Sequence, residues 1–214
     1  MRRALLAALC AAALAAPAQA QLARRVTGEL GAGSVRNVIT DGAGNSGTLT
    51  GAAAFGNASL HLGVVTLGGT YLQGRITPDT GSGTARDVVE AGATLAVHPI
   101  AWLAVGAGVL ARGYIMPAGT ERWVLGVLRV RAEGAILTPV LRTHAEVWRA
   151  VSTDINIGPG GGNATGGEAG VTLRLPQTNF WGRLGYAIDR AELSDGSRTE
   201  TFERITFSVG YGGP

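Results

Sequence analysis

The sequence predicts an all-β fold, an antiparallel up-and-down barrel of about ten strands. Long stretches of the 214-residue chain alternate polar and apolar residues with a period of two. Turn signals rich in glycine, of which there are 34, separate these stretches. Beyond the first 20 residues, no apolar run is long enough for a membrane-spanning helix. If the protein spans a membrane, it would therefore do so with strands.

The period-two pattern predicts ten strands in order along the chain. They lie near residues 25–38, 47–56, 58–76, 85–98, 102–116, 121–133, 139–152, 167–176, 180–192 and 201–212. The segments 88–97 and 139–151 also fit the 3.6-residue period of a helix, so eight strands are the alternative. Strands on both sides of 139–151, and the need to pair every edge of a barrel, favour ten.

The connections between the predicted strands fall into two classes. Short ones include Gly56-Asn57, 98–101, 134–138 and 175–179, whereas longer polar ones cover 40–46, 77–84, 152–167 and 193–200. The connection at 117–120 is short and breaks the strict alternation of the two classes. Tight turns at one end and longer loops at the other are typical of outer-membrane barrels.

The first 20 residues have the features of a cleavable secretory signal. Arg2 and Arg3 precede the apolar run 4–16, and Ala18-Gln19-Ala20 forms a small-x-small cleavage pattern. The predicted mature domain is therefore 21–214. Cys10 is the only cysteine and lies within the signal, so we expect no disulfide in the mature protein.

The stretch VLGVLRVRAEG (124–134) raises the question of which face of the strand contacts water. Arg129, Arg131 and Glu133 alternate there with apolar residues. The apolar faces of the strands hold many Gly and Ala residues, which would fill a core poorly but suit fluid lipid. We therefore expect a transmembrane barrel with its polar face inside. The predicted lumen network is Glu29, Glu90, Arg112, Arg129, Arg131, Arg142, His144, Glu146, Glu168, Arg174, Arg183, Asp189 and Arg204.

Aromatic residues fall near both ends of the predicted apolar zone. Two such bands are typical of the interfacial girdles of membrane barrels. The predicted interfacial residues are Phe55, Trp102, Phe180, Trp181 and Tyr211 at the short-turn end, and Tyr71, Tyr114, Trp123, Trp148 and Phe202 at the long-loop end. Trp102, Trp123 and Trp148 have the parity of the lumen side in this pattern.

The mature region resembles the small bacterial outer-membrane barrels of the OmpA/OmpX and opacity-protein kind. The signal, about 190 mature residues, amphipathic strands and the final segment ERITFSVGYGGP carry this resemblance. It implies localisation in the outer membrane of a Gram-negative envelope, with membrane lipid and the barrel-assembly machinery as partners. The last strand departs from the pattern, because Gly212-Gly213-Pro214 follow Tyr211 where such barrels commonly end in an aromatic residue.

Catalytic and cofactor chemistry has little support in the sequence. His144 and Glu146 lie two apart on one strand face, but Ser152 or Thr172 as a nucleophile would only be a guess. No set of residues has metal-ligand spacing, and GPGGGNATGG (158–167) lacks the lysine and helix of a phosphate loop. Without the signal, 16 basic and 15 acidic residues remain, with no basic block for nucleic acid. We expect no metal, cofactor or nucleic acid.

Three functional classes follow from these observations. The first is a non-enzymatic outer-membrane barrel with a structural, surface-contact or narrow-pore (porin-like) role, which we expect. The second is a membrane-embedded hydrolase or acyl-transfer enzyme that uses His144 and Glu146. The third is a soluble periplasmic barrel that carries a lipophilic ligand. The sequence does not specify an oligomeric state.

Overall fold

The chain forms ten strands in a computed structural model that describes residues 25–80, 84–136, 138–157 and 161–212. The predicted signal peptide lies outside the described residues. The strands are β1 (Val26–Asp41), β2 (Ser46–Leu62), β3 (Val65–Pro78), β4 (Arg86–Ile100), β5 (Leu103–Met116), β6 (Gly119–Ile136), β7 (Thr138–Ile155), β8 (Gly162–Arg174), β9 (Phe180–Leu193) and β10 (Arg198–Tyr211).

Each strand pairs antiparallel with its neighbours in sequence, and β1 pairs with β10 to close the barrel. The closing ladder runs from Gly28 opposite Tyr211 to Asp41 opposite Arg198. The ten-strand prediction is therefore confirmed, and the two segments that also fit a helix are the strands β4 and β7. Among the described residues, no helix is long and apolar enough to cross a membrane.

The connections lie at two ends of the barrel. The short-turn end holds the first residues of β1, the last residues of β10, and the adjoining ends of the strand pairs β2/β3, β4/β5, β6/β7 and β8/β9. The long-loop end holds the adjoining ends of the strand pairs β1/β2, β3/β4, β5/β6, β7/β8 and β9/β10. The predicted turn at Gly56-Asn57 is wrong. Both residues pair within β2, and the chain reverses at Gly63, whose φ of 65° suits the left-handed conformation of a tight turn.

One irregularity changes which residues of β7 face inward. Gly126 on β6 pairs with Ser152, but the next residue, Val127, pairs with Ala150, so Val151 is the extra residue of a β-bulge. Even-numbered residues of β7 face inward before the bulge, and Thr153 and Ile155 do so after it. The bulge thereby brings Ile155 into the barrel interior, where it is buried.

The outer face of the barrel carries an apolar belt. On the outer face of β9 and β10 it includes Leu184, Tyr186, Ile205, Phe207 and Val209, all exposed. The belt continues around the other strands with Leu30, Leu67, Leu95, Val105, Val109, Leu128, Val130, Val147, Val171 and Leu173. This outward set matches the apolar strand face that the alternation predicts, and the polar face lies inside.

The interior has an apolar layer and, beneath it, a charged layer. In the long-loop half, apolar side chains fill the lumen. We call this set the apolar plug; it comprises Val35, Leu49, Ala53, Leu72, Ile76, Val88, Leu110, Tyr114, Trp123, Leu125, Val127, Ile155, Ala164, Leu193 and Phe202. In the short-turn half, charged and hydroxyl side chains line the lumen instead. The charged groups predicted from the sequence lie mainly in this second layer, directly beneath the plug.

The barrel interior as candidate functional site

The thirteen residues of the predicted lumen network all occupy inward-facing strand positions. Each is partly or fully buried, and each has the parity of buried neighbours on its own strand. Their arrangement follows from strand register and from closure, which brings charges from distant strands together across the lumen.

The central feature of the network is a four-residue cluster that crosses the lumen. Arg112 Nη2 lies 2.5 Å from Glu90 Oε2 and 2.5 Å from Asp189 Oδ2. Arg204 Nη1 lies 3.0 Å from Glu90 Oε1, and Arg204 Nη2 lies 3.8 Å from Asp189 Oδ2. Glu90 and Arg112 are direct partners in the β4–β5 ladder, whereas Asp189 and Arg204 come from β9 and β10. The cluster therefore joins opposite walls of the barrel.

The plug rests directly on this cluster. The guanidinium carbon of Arg112 lies 4.2 Å from the ring centroid of Phe202, within cation–π range. Phe202 in turn packs edge-to-face with Tyr114, with ring centroids 6.4 Å apart. Both rings are almost fully buried. The apolar and charged layers are thus in direct contact at this level.

A second cluster surrounds Glu29 on β1. Its Oε2 accepts hydrogen bonds from Arg183 Nη1 at 2.9 Å and from Asn57 Nδ2 at 3.2 Å. Ser208 donates to the other carboxylate oxygen. Arg183 also donates through Nε to Thr172 Oγ1 at 3.0 Å, and its guanidinium stacks on the Trp181 ring. Five strands contribute to this cluster, so it fixes the wall around the closing seam.

A ladder of alternating charges runs along β6 and β7. Arg129 Nη1 lies 3.1 Å from Glu146 Oε1, and Arg131 Nη2 lies 3.3 Å from Glu133 Oε2. Arg142 donates through Nε to Glu133 Oε1 at 3.0 Å. Glu133 was not included in the predicted network, although it continues the Arg129, Arg131 alternation on the inner face.

The suggested pairing of His144 with Glu146 is wrong. His144 Nε2 lies 2.9 Å from Glu168 Oε1 on the neighbouring strand β8, whereas Glu146 binds arginines. Of the two suggested nucleophiles, Ser152 is exposed beside the bulge, and the Thr172 hydroxyl accepts from Arg183. Residues on one strand two apart are about 7 Å apart, so cross-strand neighbours meet more readily than such pairs do.

Six of the ten predicted interfacial aromatics face the lumen, which corrects that prediction. Tyr114, Trp123, Trp181 and Phe202 are buried, and Phe55 and Trp148 pack against the plug. These residues occupy inward-facing positions of their strands, and all their rings except that of Trp181 fill the lumen above the charged layer. The other four, Tyr71, Trp102, Phe180 and Tyr211, are exposed on the outer surface. Phe180 and Tyr211 form an edge-to-face pair, with centroids 5.1 Å apart, at the short-turn end.

A further charged cluster, which was not predicted from the sequence, lies at the long-loop end. Arg198 Nη2 lies 3.0 Å from Glu121 Oε2 and also pairs with Glu200, while Arg86 Nη1 lies 3.8 Å from Glu121. Trp123 Nε1 donates to Glu121 Oε1 at 2.8 Å. These residues lie next to predicted strand ends, where inward parity could have identified them. They seal the plug from above.

The open space inside the barrel narrows from the short-turn end towards the plug. A cavity of about 270 Å³ beside Gly63 and Trp102 is followed by one of about 250 Å³ along Arg129 and Arg183. Next comes a cavity of about 120 Å³ at the level of Glu90, and the plug itself encloses only about 20 Å³. The larger of these cavities therefore lie in the short-turn half, which we call the vestibule, and the smallest lies within the plug.

Hydroxyl and imidazole groups line the vestibule opposite the charge ladder. Thr66 Oγ1 lies 2.9 Å from His61 Nδ1 and 2.9 Å from His98 Nε2. Ser59 Oγ lies 3.2 Å from His61 Nε2. Within the part of the chain that the structure describes, no three His, Cys, Asp or Glu side chains are grouped to hold a metal ion. The two imidazoles thus form a hydrogen-bonded chain with hydroxyl groups.

The long loops contain locally hydrogen-bonded turns. In the β9–β10 connection, the side chain and the backbone N–H of Ser197 donate to the carboxylate of Asp195. These hydrogen bonds lower the pKa of the Asp195 carboxyl below its ordinary value. The carboxylate is thus charged at neutral pH and adds to the polar character of this end of the barrel.

Among the solved structures that match this chain are outer-membrane barrels of low sequence identity. Neisserial surface protein A is 10% identical over 87% of this chain and 97% of its own, with a TM-score of 0.40. The translocator domain of the autotransporter NalP from Neisseria meningitidis is 14% identical over 96% of this chain and 98% of its own, with a TM-score of 0.48. The monoaromatic hydrocarbon channel TodX is 10% identical over 87% and 90%, with a TM-score of 0.39.

No protein-family model matches the chain. No curated protein matches it in sequence. The barrel architecture of the chain rests on its own strand pairing, and the solved structures above are similar at too low a level to assign a function.

Proposed function

We propose that this protein is a lipid-embedded barrel of the outer membrane with a structural or surface-contact role and no open pore. The observation that carries this proposal is the apolar plug, which fills the long-loop half of the lumen above a cross-lumen ion cluster. A barrel of about eight to ten strands has an interior that side chains can fill.

Membrane insertion is supported by the apolar belt. On β9 the outward residues from Phe180 to Ile188 are free of charge, as are those on β10 from Ile205 to Tyr211. Such spans approach the nine to eleven residues, roughly, that a tilted strand needs to cross a bilayer. Trp102, Phe180 and Tyr211 lie at the short-turn edge of the belt, where membrane barrels carry aromatic girdles.

A soluble barrel that carries a lipophilic ligand would need the opposite arrangement in this half. Its apolar faces would line the cavity, whereas paired arginines and glutamates form one wall of the vestibule here. Exposed side chains such as Phe207 and Val147 would lie in water. Lipid is the solvent that suits this outer surface.

The closed lumen supports a role other than conduction. Nine arginines and eight acids occupy inward positions in the described residues, and the ion pairs bring most of them into contact. Such a near-neutral interior gives little preference for either sign of ion. The predicted list implied an excess of two, with seven arginines against five acids. The excess falls to one because three acids, Glu121, Glu133 and Glu200, and only two arginines, Arg86 and Arg198, join the inward set.

A non-enzymatic role is supported by how the candidate groups are engaged. His144 is buried and its imidazole pairs with Glu168, whose side chain is partly exposed to the lumen, and the nearby Thr172 hydroxyl accepts a hydrogen bond from Arg183. General-base catalysis requires a nucleophile within hydrogen-bonding reach of the base. The pair instead ties β7 to β8 within the charged layer.

Planar-bilayer recordings on the refolded protein, after cell fractionation, test the proposal. We expect the protein in the outer-membrane fraction, a heat-dependent shift on cold SDS gels, and no steady conductance. Recovery as a soluble periplasmic monomer would refute the membrane assignment, and large steady openings would refute the closed lumen. Acyl-ester hydrolysis that is abolished by His144→Gln would instead establish the enzyme alternative.

A further inference from the structure

Within the described strands β1 to β10, the outward-facing charged residues lie on the long-loop side of the apolar belt. Three of the outward arginines are engaged with acids. Arg36 lies 3.2 Å from Glu203, Arg75 lies 3.8 Å from Asp87, and Arg122 lies 3.8 Å from Asp154. Two further arginines, Arg149 on β7 and Arg190 on β9, differ from these three because no acid lies within ion-pair distance of them in the described residues.

Arg149 and Arg190 flank a single residue of the strand between them. Arg149 pairs with Thr165 on β8, and Thr165 pairs with Arg190. All three are exposed on the outer face. Because adjacent strands lie about 4.8 Å apart, the two arginine backbones are about 10 Å apart. Their long side chains can reach a tetrahedral anion held over the Thr165 hydroxyl.

These two arginines have no partner within the described residues. No hydrogen bond, ion pair or ring contact involves either guanidinium. The next residue in the same row is Thr201 on β10, which is also uncharged. Glu192 lies on the same outer face two residues along β9, but no ion pair joins it to Arg190 in the described residues. The two arginines repel one another weakly at this separation, so an anion bound between them would be favourable. Their arrangement is complementary to a doubly charged group.

The row lies directly above a shallow trough in the apolar belt. One step towards the short-turn end, Gly167 lies between Val147 on β7 and Ile188 on β9. A further step down, Ala169 lies opposite Tyr186. Val147 and Ile188 are both exposed, whereas glycine and alanine add almost no height between them. The trough is as wide as one strand, and its apolar lining suits an acyl chain.

We propose that Arg149, Thr165 and Arg190 bind the phosphate monoester of a lipid headgroup, with an acyl chain of that lipid along Gly167 and Ala169. The site rests on the proposed membrane position of the barrel. Guanidinium groups bind phosphate oxygens through paired hydrogen bonds. Basic residues at the edge of a membrane span are the usual recognition elements for anionic lipid. The lipid source, rather than free phosphate, follows from the trough beneath the arginines.

Native mass spectrometry of the refolded barrel tests this site, with phosphatidic acid as the probe and phosphatidylcholine as the background lipid. The wild type should retain phosphatidic acid selectively. The Arg149→Gln/Arg190→Gln variant should bind it roughly tenfold or more weakly, because each arginine contributes to anionic-lipid binding. Arg75→Gln is the matched control, since Arg75 is outward and exposed but is engaged with Asp87. Its affinity should remain that of the wild type.

Several outcomes would overturn the proposal. These are equal affinities of the wild type and the double variant, an equal loss in Arg75→Gln, or displacement of the lipid by excess inorganic phosphate, which would identify a free-anion site. If the double variant loses its heat-modifiable band, the two single variants replace it. Each should bind several-fold more weakly, and wild-type affinity in both would refute the site. A barrel that inserts but shows no lipid selectivity contradicts only this site, whereas failure to insert contradicts the proposed function.

Discussion

Arg112 on β5 and Asp189 on β9 meet across the barrel lumen, with 2.5 Å between Nη2 and Oδ2. Their Cα positions are 77 residues apart in sequence, and neither strand pairs with the other. The contact therefore exists only when the barrel is closed. It links the integrity of the charged layer to the completed fold and makes the pair a sensitive position for mutation.

Arg112→Met should destabilise the barrel by about 3–5 kcal/mol, because it leaves Glu90 and Asp189 buried with only Arg204 near both. Urea unfolding of the protein in lipid micelles measures the change. The control is Arg75→Met, which removes an exposed arginine 3.8 Å from its acid and should cost less than about 1 kcal/mol. Equal losses would show that the lumen cluster contributes no more than a surface ion pair.

Phe202→Ala should open the plug and cost about 3–5 kcal/mol, the usual range for loss of a buried aromatic ring. The missing ring also exposes Arg112, which it covers, so small conductance events should appear in planar bilayers. Phe207→Ala, on the same strand but on the lipid face, is the control and should remain silent. A silent Phe202→Ala barrel of wild-type stability would refute the role of the plug.

Leu184→Arg should be costly because Leu184 lies near the middle of the outward residues of β9. The expected loss is about 2–4 kcal/mol, the range for an arginine at the bilayer midplane. Val151→Arg places the same charge on the outer face at the long-loop end, where the cost should be about 0–1 kcal/mol. Refolding titrations into vesicles measure both values. If the order of the two costs were reversed, the position of the belt would be wrong.

Gly210→Ala should displace the Trp181 ring, since an added methyl group would lie 2.0 Å from Trp181 Cζ2. The expected loss is about 1–3 kcal/mol, typical of overpacking. Gly28→Ala is the control on the neighbouring strand, because an added methyl group there meets nothing within 4 Å. Thermal shifts on SDS gels compare the two variants. Identical melting would mean that Trp181 can relocate freely despite its bond to Gly212 O.

The strand pattern and the face assignment could be predicted because period-two alternation is local to each strand. The turn at Gly63 could not, because Gly56-Asn57 has equally good turn chemistry and only the register with β1 and β3 places it within β2. Cross-lumen contacts such as Arg112 with Asp189 depend on closure and on shear, which a single strand does not encode.

The aromatic assignment failed for a different reason. Tyr114, Trp123 and Phe202 lie at the height expected of a girdle, but they point inward. Their odd or even position along each strand would have placed them in the lumen. We expected polar side chains in the lumen of a membrane barrel, however, and these rings are largely apolar. The bulge at Val151 further obscures parity on β7. The expectation of a polar lumen holds for the short-turn half only.

The apolar plug gives each strand two halves that follow opposite hydropathy rules. Near the short turns, polar side chains point in and apolar ones out, as suits a lipid solvent. Near the long loops, Phe202 and Tyr114 point in while Arg149 and Arg190 point out, as in an ordinary water-soluble barrel. One continuous hydrogen-bonded sheet thus has one half suited to lipid and one half suited to water. The residue type that is favoured at inward positions, polar or apolar, therefore reverses partway along the strands.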